Sequence, residues 1–283
     1  MPIDFHTHVF PDQIAQKAIC KLQAASHTRP FTDGTARGLA ASMKRAGIGL
    51  SVVLPVATSA RQVPGINDAA KRMNERAGVT GILSFGGMHP DLEGWEAEME
   101  RIRELGLPGV KLHPPYQHVD ADDERVVRIV KKAGELGLMV ITHAGLDVGL
   151  PGNRCSTPEK LRRLSERAPD TVLILAHMGD WRCWKEAEAL LRDTGVYLDT
   201  SFSLGSMTES GDGYYQTPEE LRLLEEEGFL RLVDRFGAHR ILFGTDSPWG
   251  DQEAAVSLFE ALALPEEDKQ AIFSLNAQKL LNR

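Results

Sequence analysis

Short apolar runs rich in β-branched residues recur along the chain, and each is followed by a polar loop and then by a stretch whose apolar positions fall at helical spacing. Eight such runs predict strands: residues 2–8, 48–55, 79–87, 107–113, 136–145, 170–179, 195–201 and 239–246. Their apolar positions do not alternate strictly, which is the pattern of parallel strands buried on both faces. Residues 66–78, 92–106, 124–137, 158–169 and 185–195 are patterned as helices, several closing on a glycine suited to the left-handed position after a helix. Strand and helix alternating eight times predict parallel strands with crossover helices, and eight units close most naturally as a (β/α)8 barrel. An open doubly wound sheet is the rival fold. It is disfavoured because HTHVFPD, not G-x-G-x-x-G, follows the first strand.

No Pro/Gly-rich linker or low-complexity tract cuts the chain, so one domain over residues 1–283 is expected. Two longer connections, residues 9–36 and 201–218, read as active-site covers or, alternatively, as flexible decoration. The charged stretch PEELRLLEEEGFLRLVDRFG reads as one outer helix with a solvated face.

Composition narrows the classes of function. A chain of 283 residues with 42% hydrophobic and 25% charged residues is ordinary for a globular protein, and its net charge of -8 gives no general attraction to nucleic acid or anionic lipid. Neither a nucleic-acid nor a membrane partner is expected. Cys20, Cys155 and Cys183 are far apart and form no C-x-x-C, so neither a disulfide framework nor a thiolate zinc site is predicted, and a reducing cytoplasm fits. The sequence shows no signal-like start and no apolar run near 18 residues.

The polar residues that matter cluster at the ends of the predicted strands. His6 and His8 are two apart and share a face of the first strand; His89 follows the third, Lys111 and His113 end the fourth, and His143 ends the fifth. His177 ends the sixth, Asp199 the seventh and Asp246 the eighth. A barrel builds its active site from these C-terminal strand ends. Imidazole and carboxylate are the usual ligands of zinc and related ions, and such an ion makes a hydroxide source of water near neutral pH. The arrangement is that of a hydrolase scaffold.

In order along the chain, D-F-H-T-H, G-V-K-L-H-P, V-I-T-H-A-G, I-L-A-H-M-G and F-G-T-D-S-P-W resemble the amidohydrolase superfamily. More narrowly the chain is similar to the branch holding aminocarboxymuconate semialdehyde decarboxylase, resorcylate-type decarboxylases and amidohydrolase-related hydrolases, from residue 3 to about residue 250. The resemblance implies His6, His8, His143 and Asp246 as ligands of one divalent ion, zinc first, with manganese or another ion as alternatives. It gives Asp246 a second role as acceptor of the water's proton. His177 is implied as a catalytic side chain that polarises a carbonyl or moves a proton, the alternative being a ligand to a second metal. For Lys111 three roles stand open: binding a substrate carboxylate or a neighbouring ligand, a carboxylated bridge between two metals, or a buried ammonium paired with Asp4 or Asp199. His113, Arg182 and Trp249 are expected at the substrate, with Tyr116 and Trp181 near the same rim. Arg182 would clamp a carboxylate, while the tryptophans would wall an apolar pocket. His89 and His113, each followed by proline, serve alternatively to fix the loops they begin.

The first expectation is therefore a metal-dependent hydrolase of a small molecule, acting on an amide, ester or lactone by metal-activated water. The alternative is a non-oxidative decarboxylase of a small carboxylated ring or dienoate. A barrel that binds without turnover is disfavoured by the full set of ligand types. A nuclease like the TatD relatives is disfavoured by Lys111 and His113, which stand where a ligating glutamate is expected, and by the negative charge. A homodimer is implied by the resemblance alone.

Overall fold

The computed structural model describes residues 1–282. All eight predicted strands are present, and the third is divided, giving β1 (Ile3–Thr7), β2 (Leu50–Val53), β3 (Ile82–Ser84), β4 (Gly86–Gly87), β5 (Gly109–Leu112), β6 (Met139–Thr142), β7 (Leu173–Leu175), β8 (Tyr197–Asp199) and β9 (Ile241–Leu242). Nearly every strand residue is buried, as strands covered on both faces require. The five patterned helices form as Val63–Asn74, Trp95–Glu104, Glu124–Glu135, Pro158–Arg167 and Trp184–Leu191. Gly106 and Gly137, just past two of them, take the predicted left-handed conformation. Contacts divide the chain into two compact units, one of residues 1–52, 148–151 and 199–283, the other of residues 53–147 and 152–198.

In the first unit β1 lies between β2 and β9. On one side Gly49 N donates to Pro2 O and Thr7 Oγ1 to Val52 O. On the other, Phe5 N donates to Phe243 O (2.7 Å) and Asp246 N to His6 O (2.8 Å), with Thr7 and Ser247 in a parallel bridge. The first and last strands of the chain are thus neighbours, the cyclic order that barrel closure demands. Behind β9, Phe243 packs with Phe259 and Phe273, and Phe229 packs on Phe259, all at ring separations between 4.5 and 6.1 Å.

The two long connections are not independent loops. Residues 9–36 contain the helix Asp12–Ser26, whose end is tied to the other connection. Thr28 and Glu209 form an antiparallel bridge, Arg29 N donates to Thr208 O, and Ser210 N donates to His27 O. His27 also pairs with Asp212 at 2.7 Å and stacks on Tyr214. The charged stretch after this connection is not one helix. It breaks into Pro218–Leu221 and Glu226–Phe236 because residues 222–224 run extended, with Gly205 N donating to Leu224 O and Leu224 N to Ser203 O.

The second unit carries β4 to β8 in consecutive parallel pairs, with Gly86 opposite Val110, Val110 opposite Val140, Ile141 opposite Ile174 and Ile174 opposite Tyr197. The break at Phe85 has a local cause. Asn74 receives Ser84 N and donates to Ser84 O, while Asn67 receives Gly87 N, so two asparagines of the helix Val63–Asn74 take up backbone groups that a strand would otherwise pair. Gly109 is required where β5 meets β6, since a Cβ there would lie 2.2 Å from Met139 O.

A second close approach joins the loops after β6 and β7. Gly145, at φ +89, leaves no room for a Cβ, which would lie 2.0 Å from Asp180 Oδ1. Asp180 is 1% exposed and its Oδ1 has no hydrogen-bond partner, and burial pushes its carboxyl up to about 8. The folded chain therefore holds this proton at neutral pH while the unfolded chain, with an ordinary aspartate, does not. Stability from this group is full below about pH 4 and falls as pH rises towards about 8. Asp180→Asn is expected to flatten that slope and to raise Tm at pH 8 by on the order of 5 °C, with the two proteins converging near pH 4; thermal denaturation across pH checks this.

Candidate functional site

In the first unit three predicted residues converge. His6 leaves β1 fully buried with its Nε2 3.2 Å from His8 Nε2 and 3.5 Å from Asp246 Oδ1, and His8 Nε2 lies 3.2 Å from the same Asp246 oxygen. Two donors bound at 2.0–2.1 Å to one tetrahedral ion stand about 3.3 Å apart, so these separations are those of a common ligand set. The first histidine is oriented from behind. Its Nδ1 lies 2.7 Å from Asp199 Oδ2, a carboxylate oxygen that can only accept, so the proton sits on Nδ1 and the Nε2 lone pair faces His8 and Asp246. Ser201 donates to the other Asp199 oxygen through both its backbone N and its hydroxyl, and its hydroxyl lies 3.0 Å from His6 Nδ1.

Asp246 sits at φ +64 in a tight turn, where its carbonyl accepts from Trp249 N and Gly250 N. The turn is fastened to β1 by Asp4, which accepts from Thr245 N, Thr245 Oγ1, Gln252 Nε2 and His6 N. Burial raises the Asp4 carboxyl to about 6 against these four hydrogen bonds.

The second unit gathers His113, His143, Asp147 and His177. His143 Nε2 is 3.0 Å from Leu146 O, so that nitrogen carries the proton and Nδ1 is the ligating atom left, facing His177 Nε2 at 3.2 Å. His113 stacks on His143 with ring centroids 4.3 Å apart, and its Nε2 is 3.5 Å from Asp147 Oδ2. His113, His143 and Asp147 are all buried and offer ligand atoms within 4.8 Å of one another. His177 opens three successive left-handed residues, His177, Met178 and Gly179, and Trp184 Nε1 holds its carbonyl at 3.0 Å. Left-handed non-glycine residues cost roughly 1–3 kcal/mol each, and here both His177 and Asp246, the two residues expected to move protons, adopt that conformation.

The remaining predicted residues are more dispersed. Lys111 is 1% exposed on β5, and Arg182 lies over the Trp181 ring at 5.0 Å. His89 fixes its own loop, accepting from Asp91 N on Nδ1, as the proline-loop alternative expected, and burial lowers its pKa. Trp249 lines a cavity of about 260 Å³ in the first unit with Phe31, Phe202, Met207, Phe243 and Phe259, next to the turn of Asp246. Asp251 is the one charged residue of that lining, and its side chain caps the following helix by accepting from Glu253 N. The sequence places Asp199 at a strand end and pairs it with Lys111, but not with His6; the signal was there, because Asp199 and Ser201, two apart at a strand end, share a face as His6 and His8 do. Asp147 lies in a loop, where no periodicity marks it.

The amidohydrolase family model matches residues 3–283. Among solved structures the chain is similar to 5-carboxyvanillate decarboxylase from Sphingomonas paucimobilis (16% identity, TM-score 0.67, covering 99% of this chain and 98% of that one). It is similar to 2,6-dihydroxybenzoate decarboxylase from Rhizobium (18%, TM-score 0.67, covering 99% and 98%). It is also similar to an uncharacterised TIM-barrel protein from Bordetella bronchiseptica (18%, TM-score 0.72, covering 99% and 98%). A dihydroxybenzoic acid decarboxylase from Polaromonas, 17% identical with a TM-score of 0.68 and coverage of 100% and 97%, carries bound manganese and 2-nitroresorcinol. No curated protein sequence matches. At these identities the likeness shows the fold, an α/β TIM barrel, and with the family match over nearly the whole length the chain belongs to the amidohydrolase family.

Proposed function

We propose that the chain is a divalent-metal-dependent, non-oxidative decarboxylase of a small carboxylated ring or dienoate. The observation that carries the metal-dependent part is the convergence of His6, His8 and Asp246, with Asp199 fixing the His6 tautomer. His143 completes the ligand set by the family pattern. The bound ion would supply positive charge to substrate oxygens, and either zinc or manganese suits nitrogen and carboxylate donors. In the reaction the bond from the carbon skeleton to the carboxylate breaks, CO2 leaves, and the electron pair left on carbon takes a proton. His177 and Asp246 serve as the acid. Lys111, which is buried, and Arg182 orient the substrate carboxylate, and Trp249 packs on the apolar body of the substrate.

The hydrolytic expectation moves to second place because three of the four similar solved structures named above are decarboxylases, the fourth being uncharacterised. It keeps one supporting observation: the cavity beside the Asp246 turn is lined by neither lysine nor arginine, which suits a neutral ester or lactone. The same proposal takes residues 1–283 as one domain, forming a homodimer in the cytoplasm, where the free state of all three cysteines is at home. No described helix is long and apolar enough to cross a membrane.

The deciding experiment offers the metal-loaded protein 2,6-dihydroxybenzoate and 5-carboxyvanillate, and measures CO2 release, alongside a panel of esters and lactones followed by acid release. Metal-dependent CO2 release supports the proposal; acid release alone overturns it in favour of hydrolysis. Asp199→Asn is expected to weaken metal affinity 10- to 100-fold with the fold intact, as calorimetric titration would read. His177→Gln should keep its metal, by elemental analysis, and lose roughly 10²- to 10⁴-fold in kcat.

A further inference from the structure

The loop after β6 folds back on its own histidine. Asp147, four residues beyond His143, reaches His113 Nε2 at 3.5 Å, and the His113 ring lies on the His143 ring at 4.3 Å and 19° from parallel. His113 cannot slide away from this stack, because Tyr116 meets its ring edge-on at 4.7 Å and its backbone N donates to Gln117 Oε1. Gln117 is itself pinned, donating from Nε2 to Ala57 O (3.0 Å) and Met88 O (2.7 Å). The edge of His143 is held by Leu146 O and its face by His113, and His113, Gln117, His143 and Asp147 are all buried.

We infer that His113 and Asp147 are positioning residues for His143, a clamp that fixes the rotation of its ring so that Nδ1 keeps one direction. The inference rests on the proposed role of His143 as a metal ligand. It assigns His113 to the ligand rather than to the substrate, and it gives Asp147, which no motif marks, a reason to be there. Partners that orient a ligating histidine in this way typically change metal affinity by 10- to 100-fold.

The test reads Co²⁺ binding rather than turnover, using affinity by titration and the visible absorption bands, which report ligand geometry. His113→Ala should weaken Co²⁺ binding at least 10-fold and shift the bands, and Asp147→Asn, nearly isosteric, should do so to a lesser degree. His113→Phe keeps a ring on the stack and should recover most of the affinity. Wild-type affinity and bands in both His113→Ala and Asp147→Asn, with binding lost in His143→Ala, would overturn the clamp and leave the ligand reading standing. A His113→Phe variant as weak as His113→Ala would also overturn it, since stacking would not be the agent. Two ions per wild-type chain falling to one in Asp147→Asn would instead make the cluster an ion site of its own. Unchanged binding in His143→Ala would remove the ligand reading and the inference with it. Thermal melts of each variant confirm that affinity is read on folded protein.

Discussion

The backbone hydrogen bond from Asp246 N to His6 O joins residues 240 positions apart in sequence, and the candidate metal site depends on it. Strand pairing of the first and last strands sets the register in which His6, His8 and Asp246 face one another, because a slip of one residue would turn each side chain to the opposite face. Asp4 reinforces that register from within, collecting four hydrogen bonds from β1, from the Asp246 turn and from Gln252. A carboxylate buried this deeply is costly unless it is satisfied. Its donors come from both sides of the junction, so the network is complete only when the two strands are correctly aligned.

The two residues proposed to move protons show the opposite economy. His177 and Asp246 occupy backbone conformations that their side chains do not favour, and each is held there by neighbours: Trp184 on the His177 carbonyl, and Trp249 and Gly250 on the Asp246 carbonyl. Aspartate and histidine tolerate the left-handed region better than most residues, so the heavier local cost falls on Met178.

The strands and the crossover helices were legible because burial on both faces writes a continuous apolar signal, and helical spacing writes a periodic one. What was not legible depended on side chains standing in for backbone. Asn67 and Asn74 break the third strand by taking over its hydrogen bonds, which no local pattern announces. The stretch 218–237 has unbroken helical spacing, yet residues 222–224 pair with residues 203–206 of the preceding connection, an override of propensity by tertiary structure. Of the site, the ligand types at strand ends could be read directly. The contacts around them could not, since Asp199 and Ser201 meet His6 across more than 190 positions of sequence, and Asp147 lies in a loop.

The pairing of the two long connections carries a consequence for how such a protein diversifies. Loops on a barrel rim are ordinarily free to lengthen or shorten one at a time, which is how one scaffold acquires many specificities. Here the bridge between Thr28 and Glu209 and the His27–Asp212 pair make the two connections a single structural unit. An insertion in either one displaces the partner that the other relies on, so a descendant with a new specificity would inherit compensating changes in both, some 180 residues apart in the gene.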